Sequence, residues 1–245
     1  QNILKNLSGM MPESLAAIRE LTGATASTIK AMCKDGLLAA VPIKPDHDQQ
    51  YQADSNLISG RQQKLTVEQA AAATTLADAV TEQKYTAFLL DGVTGSGKTE
   101  VYFEAVAEAL KAGRQALILL PEIALSQAFE ARCHERFGFR PHLWHSGLGD
   151  SRRRAVWREA IRGTPMVVAG ARSALFLPFR NPGVVVVDEE HELSYRQQEG
   201  VRYHARDMAV LRARLSRIPV ILSSATPSLE SLVNVEQGKY QHIRL

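Results

Sequence analysis

The stretch LLDGVTGSGKTEVYFEAVAEAL, Leu89–Leu110, joins three patterns whose order decides the fold. The apolar run Ala87 to Leu90 gives way to a glycine-rich turn, and the turn to apolar residues recurring at helical spacing. Gly92, Gly97, Lys98 and Thr99 stand in the spacing G-x-x-x-x-G-K-T, which has a mechanism when a strand precedes it and a helix follows. The turn from Gly92 through Thr94, Gly95, Ser96 and Gly97 can then wrap backbone N–H groups around a phosphate. Lys98 reaches the β and γ phosphates, and the Thr99 hydroxyl ligates magnesium. A helix opening at Lys98 adds the positive end of its dipole. The spacing predicts MgATP or MgADP beyond the carboxyl end of a strand.

A second stretch, VVVVDEEH at Val184–His191, ends an apolar run in three acids. Taken alone, these acids are as consistent with a solvated loop or a helix opening that favours carboxylates as with a functional site. The valines are apolar at every position, as in a parallel strand covered on both faces. Ligands of open parallel sheets bind beyond the carboxyl ends of the strands, where these acids stand. With a phosphate loop elsewhere in the chain, Asp188 becomes the second magnesium ligand and Glu189 the group that orients and deprotonates the attacking water.

Further strand-like runs, Ala116 to Leu120, His142 to His145, Met166 to Ala169 and Val220 to Ser223, alternate with helical patterns. The alternation predicts an α/β, doubly wound, mostly parallel sheet over residues 57–245. Residues 45–56, PDHDQQYQADSN, are polar and aperiodic and read as a linker. Residues 1–44 read as helix, turn at Thr22 and Gly23, second helix and short strand from Leu37, a helix-turn-helix with a possible wing. Its second helix would carry Thr25, Ser27, Thr28, Lys30 and Lys34, either as a DNA-reading surface or as a structural or docking element.

The 245 residues, 45% hydrophobic and 22% charged, suit one large domain plus a small one. No apolar run approaches a membrane span and the start lacks a signal-peptide pattern, so a cytoplasmic protein without a membrane partner is expected. Cys33 and Cys133 have no C-x-x-C partners and read as reduced thiols. The net charge of +3 favours an anionic partner only mildly. Arg152, Arg153, Arg154, Arg158 and Arg162 fall in one helical stretch, either a solvated face or a phosphate-contacting one. The first residue is Gln, from which a piece of a longer protein is expected.

The order of motifs carries more than any one of them. LTVEQ, GVTGSGKTEVY, PEIALS, WHSGLGDSRRR, GARSALFLPF, DEEH, SYRQQEG, YHARD and SATPS follow one another along the chain. The series resembles the first RecA-like lobe of superfamily 2 helicases, specifically the primosomal replication-restart DNA helicases, with a winged-helix domain before it. The resemblance implies that Gln69 reads adenine, since an amide both donates and accepts. It implies that His191, with Ser224 and Thr226, links hydrolysis to movement of a second lobe. Tyr195, Arg196, Arg202, Tyr203, Arg206 and, from GARSALFLPF, Arg172 would contact single-stranded DNA. For the two tyrosines the residues leave packing against the sheet as the other reading. Val201 stands where the family often has tryptophan, and Gln127 where a TPQ pattern would have proline.

The resemblance further implies a 3′-to-5′ helicase acting on single-stranded and forked DNA, with primosome proteins and single-stranded DNA-binding protein as partners. A second lobe with its arginine, and a zinc-binding module, are expected in the rest of such a protein, so this piece alone should have little activity. A RecG-like fork translocase, or a non-catalytic nucleotide-gated DNA-binding or docking module, are the rival readings.

Overall fold

Val184 to Val187 divide their side chains between two cores, which is why all four are apolar. Val184 and Val186 join one buried cluster, Val185 and Val187 another. Each buried valine contributes roughly 1.5–3 kcal/mol. The computed structural model describes residues 19, 22–37, 64–121, 124 and 127–245. The chain divides into two compact units, Gln1–Gln50 and Tyr51–Leu245, each taken by itself.

In the first unit, helix α1 (Ala26–Lys34) follows a turn in which Gly23 has φ +66°. Thr25 is its N-cap and accepts from the Thr28 amide. The Thr25 hydroxyl also lies 2.8 Å from those of Ser27 and Thr28, so all three belong to the cap. Thr25, expected within the helix, therefore precedes it. Lys30 and Lys34 are exposed, and Ile29 is buried. Most of the first helix, the strand after Leu37 and the whole 45–56 stretch lie outside the described residues.

The second unit runs α2 (Val67–Glu82), β1 (Ala87–Asp91), α3 (Lys98–Lys111), β2 (Gln115–Leu119), α4 (Gln127–Phe137), β3 (His142–Trp144), α5 (Asp150–Arg162), β4 (Val167–Gly170) and β5 (Pro182–Val187). It continues with β6 (Arg196–Gln197), β7 (Tyr203–His204), α6 (Ala205–Ser216), β8 (Val220–Ser224), α7 (Leu229–Glu236) and β9 (Gln241–Arg244). Seven strands form one sheet in the order β3-β4-β2-β5-β8-β1-β9, with every neighbouring pair parallel. The predicted doubly wound sheet is thus present, and its six predicted strands are observed within a residue or two of their expected limits.

One side of the sheet is covered by α2, α3 and α4, the other by α5 and α6. Helix α3 is buried along nearly its whole length, from Lys98 to Leu110. Helix α2 starts with a capping box: Thr66 accepts from the Gln69 amide, and the Gln69 side chain accepts from the Thr66 amide. Two features differ from the sequence expectation. Gln241–Arg244 pairs with β1 as an edge strand, although its polar residues carry no apolar run. The stretch expected to contact single-stranded DNA folds β6 against β7 as an antiparallel pair, Arg196 opposite His204 and Gln197 opposite Tyr203.

Candidate functional site

The carboxyl ends of β1 and β5 bring the glycine-rich turn and the acids to one edge of the sheet, with β8 between the two strands. Gly95 and Gly97 take φ +83° and +85°, the left-handed region where glycine is unstrained. A Cβ on Gly97 would also collide with the Gln69 amide nitrogen. Lys98, 7% exposed, donates to the carbonyls of Gly92 at 2.5 Å and Val93 at 3.2 Å. The Ser96 hydroxyl is buried without a hydrogen-bond partner. Thr94 is exposed at the tip of the turn. Both ends of the Gln69 amide are engaged: Oε1 accepts from Thr66 N at 2.9 Å and Nε2 donates to Ser96 O at 2.8 Å. Gln69 thereby braces the turn from the side.

Across the cleft, Asp188 is gripped from the neighbouring helix. The Tyr102 phenol donates to Asp188 Oδ2 at 3.0 Å. Burial, and then the Asp188 charge, push the Tyr102 pKa well above its usual value, so the phenol stays a donor. Asp188 Oδ1 accepts from the Glu189 amide at 3.1 Å. Glu189 has φ +47°, a conformation costing on the order of 1–3 kcal/mol and met at functional turns. Burial, then the charge of Asp188, raise its pKa, with Lys98 and His191 opposing, which strengthens it as a base. His191 Nδ1 lies 2.8 Å from Ser224 Oγ, and that oxygen accepts from the Thr226 amide at 3.0 Å. The end of β8 is thus joined to the acidic turn.

Of the residues expected at DNA, Tyr195 is internal and Arg206 is largely buried at the floor of the groove beside the hairpin. Tyr195 is 1% exposed, its hydroxyl 2.6 Å from the Asp188 carbonyl and 3.0 Å from that of Leu119. A phenol so enclosed cannot stack on a base, and the packing reading holds for it. Arg206, 5% exposed, donates to Glu190 at 3.0 Å, to Asp207 at 2.9 Å and to Ser228 Oγ at 2.6 Å. Burial opposes its charge, but the hydrogen bonds and charges of Asp207 and Glu190 outweigh it and raise its pKa. Glu190 is fully buried and also accepts from Ser228 N at 2.7 Å and Ser231 Oγ at 3.1 Å. Arg172 donates to the carbonyls of Ser194 and Arg196 and so braces the same segment.

Arg196, Arg202 and Tyr203, with His204 and Arg206, line an open groove of about 830 Å³ along the hairpin. Arg196 and Arg202 are exposed, and Tyr203 packs edge-on against the half-exposed Phe176. Val201 stands 82% exposed at the hairpin tip. On α5, Arg152, Arg154 and Arg158 are exposed, Arg162 pairs with Glu159, and Arg153 turns back to the carbonyls of His145 and Ser146. Tyr102 and Glu190 escaped the sequence reading. Tyr102 follows Thr99 by one helical turn and Glu190 is the third of three adjacent acids, so each sat beside a residue already assigned.

A phosphate loop and a strand-end Asp-Glu pair on a doubly wound parallel sheet define a RecA-like ATPase lobe. The DEAD/DEAH box helicase model matches residues 63–235, and the chain belongs to that family. It is 50% identical over 157 residues to replication restart protein PriA of Rickettsia felis, which covers 64% of this chain and 24% of the relative. Against PriA of Bacillus subtilis the identity is 38% over 234 residues, 94% of this chain and 28% of the relative. The chain therefore spans about a quarter of the length of these relatives. A structure of RecG bound to a three-way DNA junction shares the fold, with TM-score 0.57, 24% identity, and coverage of 77% of this chain and 25% of that one. The Pyrococcus furiosus Hef helicase domain does too, with TM-score 0.52, 16% identity, and coverage of 79% and 39%.

The family implies ATP and a divalent metal, and the site fits both. Lys98 makes no ion pair among the described residues, its ammonium meeting only carbonyls, and the buried Ser96 hydroxyl has no partner. Thr99 and Asp188 are oxygen donors, and the Tyr102 phenol holds Asp188. A metal–triphosphate supplies the acceptors and the charge this cradle is built to meet. Among the described residues no cluster of three or more His, Cys, Asp or Glu forms a metal site by itself, and no helix is long and apolar enough to cross a membrane.

Proposed function

We propose that this chain is the nucleotide-binding lobe of a cytoplasmic 3′-to-5′ DNA helicase of replication restart, working with MgATP on single-stranded and forked DNA. The observation that carries it is the meeting of Lys98, Thr99, Asp188 and Glu189 at one sheet edge beside a basic hairpin. Its similarity to the PriA relatives supports the biological role, with primosome proteins and single-stranded DNA-binding protein as partners. Lys98 and the turn from Gly92 to Gly97 hold the phosphates, Thr99 and Asp188 hold Mg2+, and Gln69 contacts adenine beside the turn it braces. Bound Mg2+ neutralises phosphate charge. Glu189 takes the proton of the attacking water, and His191 with Ser224 and Thr226 passes the change toward a second lobe. Arg172, Arg196, Arg202 and Tyr203 face the strand. Residues 1–44 supply a winged helix that binds DNA or docks a partner, and zinc belongs to the remainder of the longer protein.

The decisive experiment compares Glu189→Gln with the unmodified residue in the complete two-lobe protein. MgATP affinity should persist while turnover drops at least about 100-fold, the contribution of a positioned base. An unchanged steady-state rate removes Glu189 from this role. Residues 1–245 alone should hydrolyse slowly, because an arginine from a second lobe contributes about 10³–10⁵-fold. Robust unwinding by the isolated chain would contradict a half-motor.

A further inference from the structure

Asp188 is held at three of its atoms. Oδ2 accepts from the Tyr102 phenol at 3.0 Å, Oδ1 from the Glu189 amide at 3.1 Å, and the main-chain carbonyl from the Tyr195 phenol at 2.6 Å. The amide and Tyr195 belong to the segment that follows Asp188 itself. Tyr102 comes from another element, α3, where it stands three positions after Thr99 and so on the same side of the helix. One helix thereby carries Thr99 and also the side chain that sets the rotation of the Asp188 carboxylate. Tyr102 is completely buried, and its ring packs edge-on against that of Phe103, with 5.3 Å between centroids. Its hydroxyl is consequently fixed in place by the core. A buried phenol needs a hydrogen-bond partner, and here the partner is a carboxylate at the mouth of the phosphate site. An ionised carboxylate offers about four acceptor sites, so with one taken on each oxygen about two remain.

We propose that Tyr102 is a positioning residue that makes the site selective for Mg2+ over Ca2+, by fixing the rotation of the Asp188 carboxylate. The proposal rests on the reading of Asp188 and Thr99 as metal ligands. Mg2+ demands near-ideal octahedral geometry at about 2.0–2.1 Å, while Ca2+ accepts flexible sets of about 6–8 oxygens. A carboxylate that cannot turn suits the first demand. One free to turn, and so to offer both oxygens to a larger ion, suits the second.

The test is equilibrium binding of ADP to this chain in saturating Mg2+, in saturating Ca2+ and in EDTA. The proteins are the unmodified chain, Tyr102→Phe, Asp188→Asn and the double variant. Tyr102→Phe removes one oxygen and keeps the buried ring. The tightening of ADP binding by Mg2+ should fall about tenfold or more, the usual loss when the hydrogen-bond partner of a metal ligand is removed. The tightening by Ca2+ should fall much less, so the preference for Mg2+ narrows. Adding Tyr102→Phe to Asp188→Asn should bring little further loss, since the phenol acts through that carboxylate. An unchanged Mg2+ dependence in Tyr102→Phe overturns the proposal. So does an equal loss with both ions, which would leave Tyr102 no part in selectivity, and so does a loss of the same size in EDTA, which would make the phenol a support of the fold. Full additivity of the two substitutions overturns it as well. Failure of the underlying reading looks different: the unmodified chain and Asp188→Asn would then respond to Mg2+ alike.

Discussion

The phosphate turn and the hairpin after the acids stand at the same edge of one sheet, yet they are built by opposite means. The turn at Gly92–Lys98 is made of backbone conformations, and its side chains bond within a few residues of themselves apart from the brace of Gln69. The hairpin is held by partners far along the chain: Tyr195 at Leu119, Arg206 at Ser228, Arg172 at Arg196. A turn of the first kind can be read from glycine spacing. A loop of the second kind cannot, because the residue types suited to DNA, arginine and tyrosine, are also the types that make buried hydrogen-bonded roots.

The sharpest way to break this contrast is to remove the charge at the root. Arg206→Ala leaves Glu190 buried and unpaired and should destabilise the fold by about 3–5 kcal/mol in urea unfolding. A loss no larger than that of an exposed arginine would return Arg206 to the hairpin surface. Next in size is the nucleotide. MgADP at 100 times its dissociation constant should stabilise the unmodified chain by about 2.7 kcal/mol, and Lys98→Ala should lose this response. Equal melting shifts for the two proteins would detach Lys98 from the phosphate.

Tyr102→Phe should cost about 1.5 kcal/mol, the contribution of a hydrogen bond to a charged group, at unchanged urea dependence. An unmoved unfolding midpoint would mean that Asp188 needs no support from α3. The smallest effect belongs to the hairpin tip. Arg202→Ala removes an exposed side chain and should change stability by less than about 0.5 kcal/mol. A larger loss would show that the tip, like the roots, is part of the packed structure.

The rest of the fold divides along the same line. The all-apolar valines of β5 signalled a strand covered on both faces, and the two cores account for all four. Gln241–Arg244 gave no such signal: at the sheet edge, next to β1 alone, a polar strand is stable through backbone pairing. Within the acids, Asp188 and Glu189 were legible as groups at the end of β5, on the sheet edge that also carries the glycine-rich turn. Glu190 was not, since a solvated carboxylate and a fully buried one are the same letter until Arg206, Ser228 and Ser231 are brought around it.

Sequence alone determined the alternation of strands and helices and the glycine-rich turn between β1 and α3. Both rest on interactions within a few residues, where spacing is geometry. Only the tertiary structure decided which arginine is a surface and which a buried root, which tyrosine faces the groove and which holds Asp188. Those outcomes depend on what the sheet places opposite each side chain, Leu119 before Tyr195 and Glu190 before Arg206, and contacts between distant segments are not encoded in any local pattern.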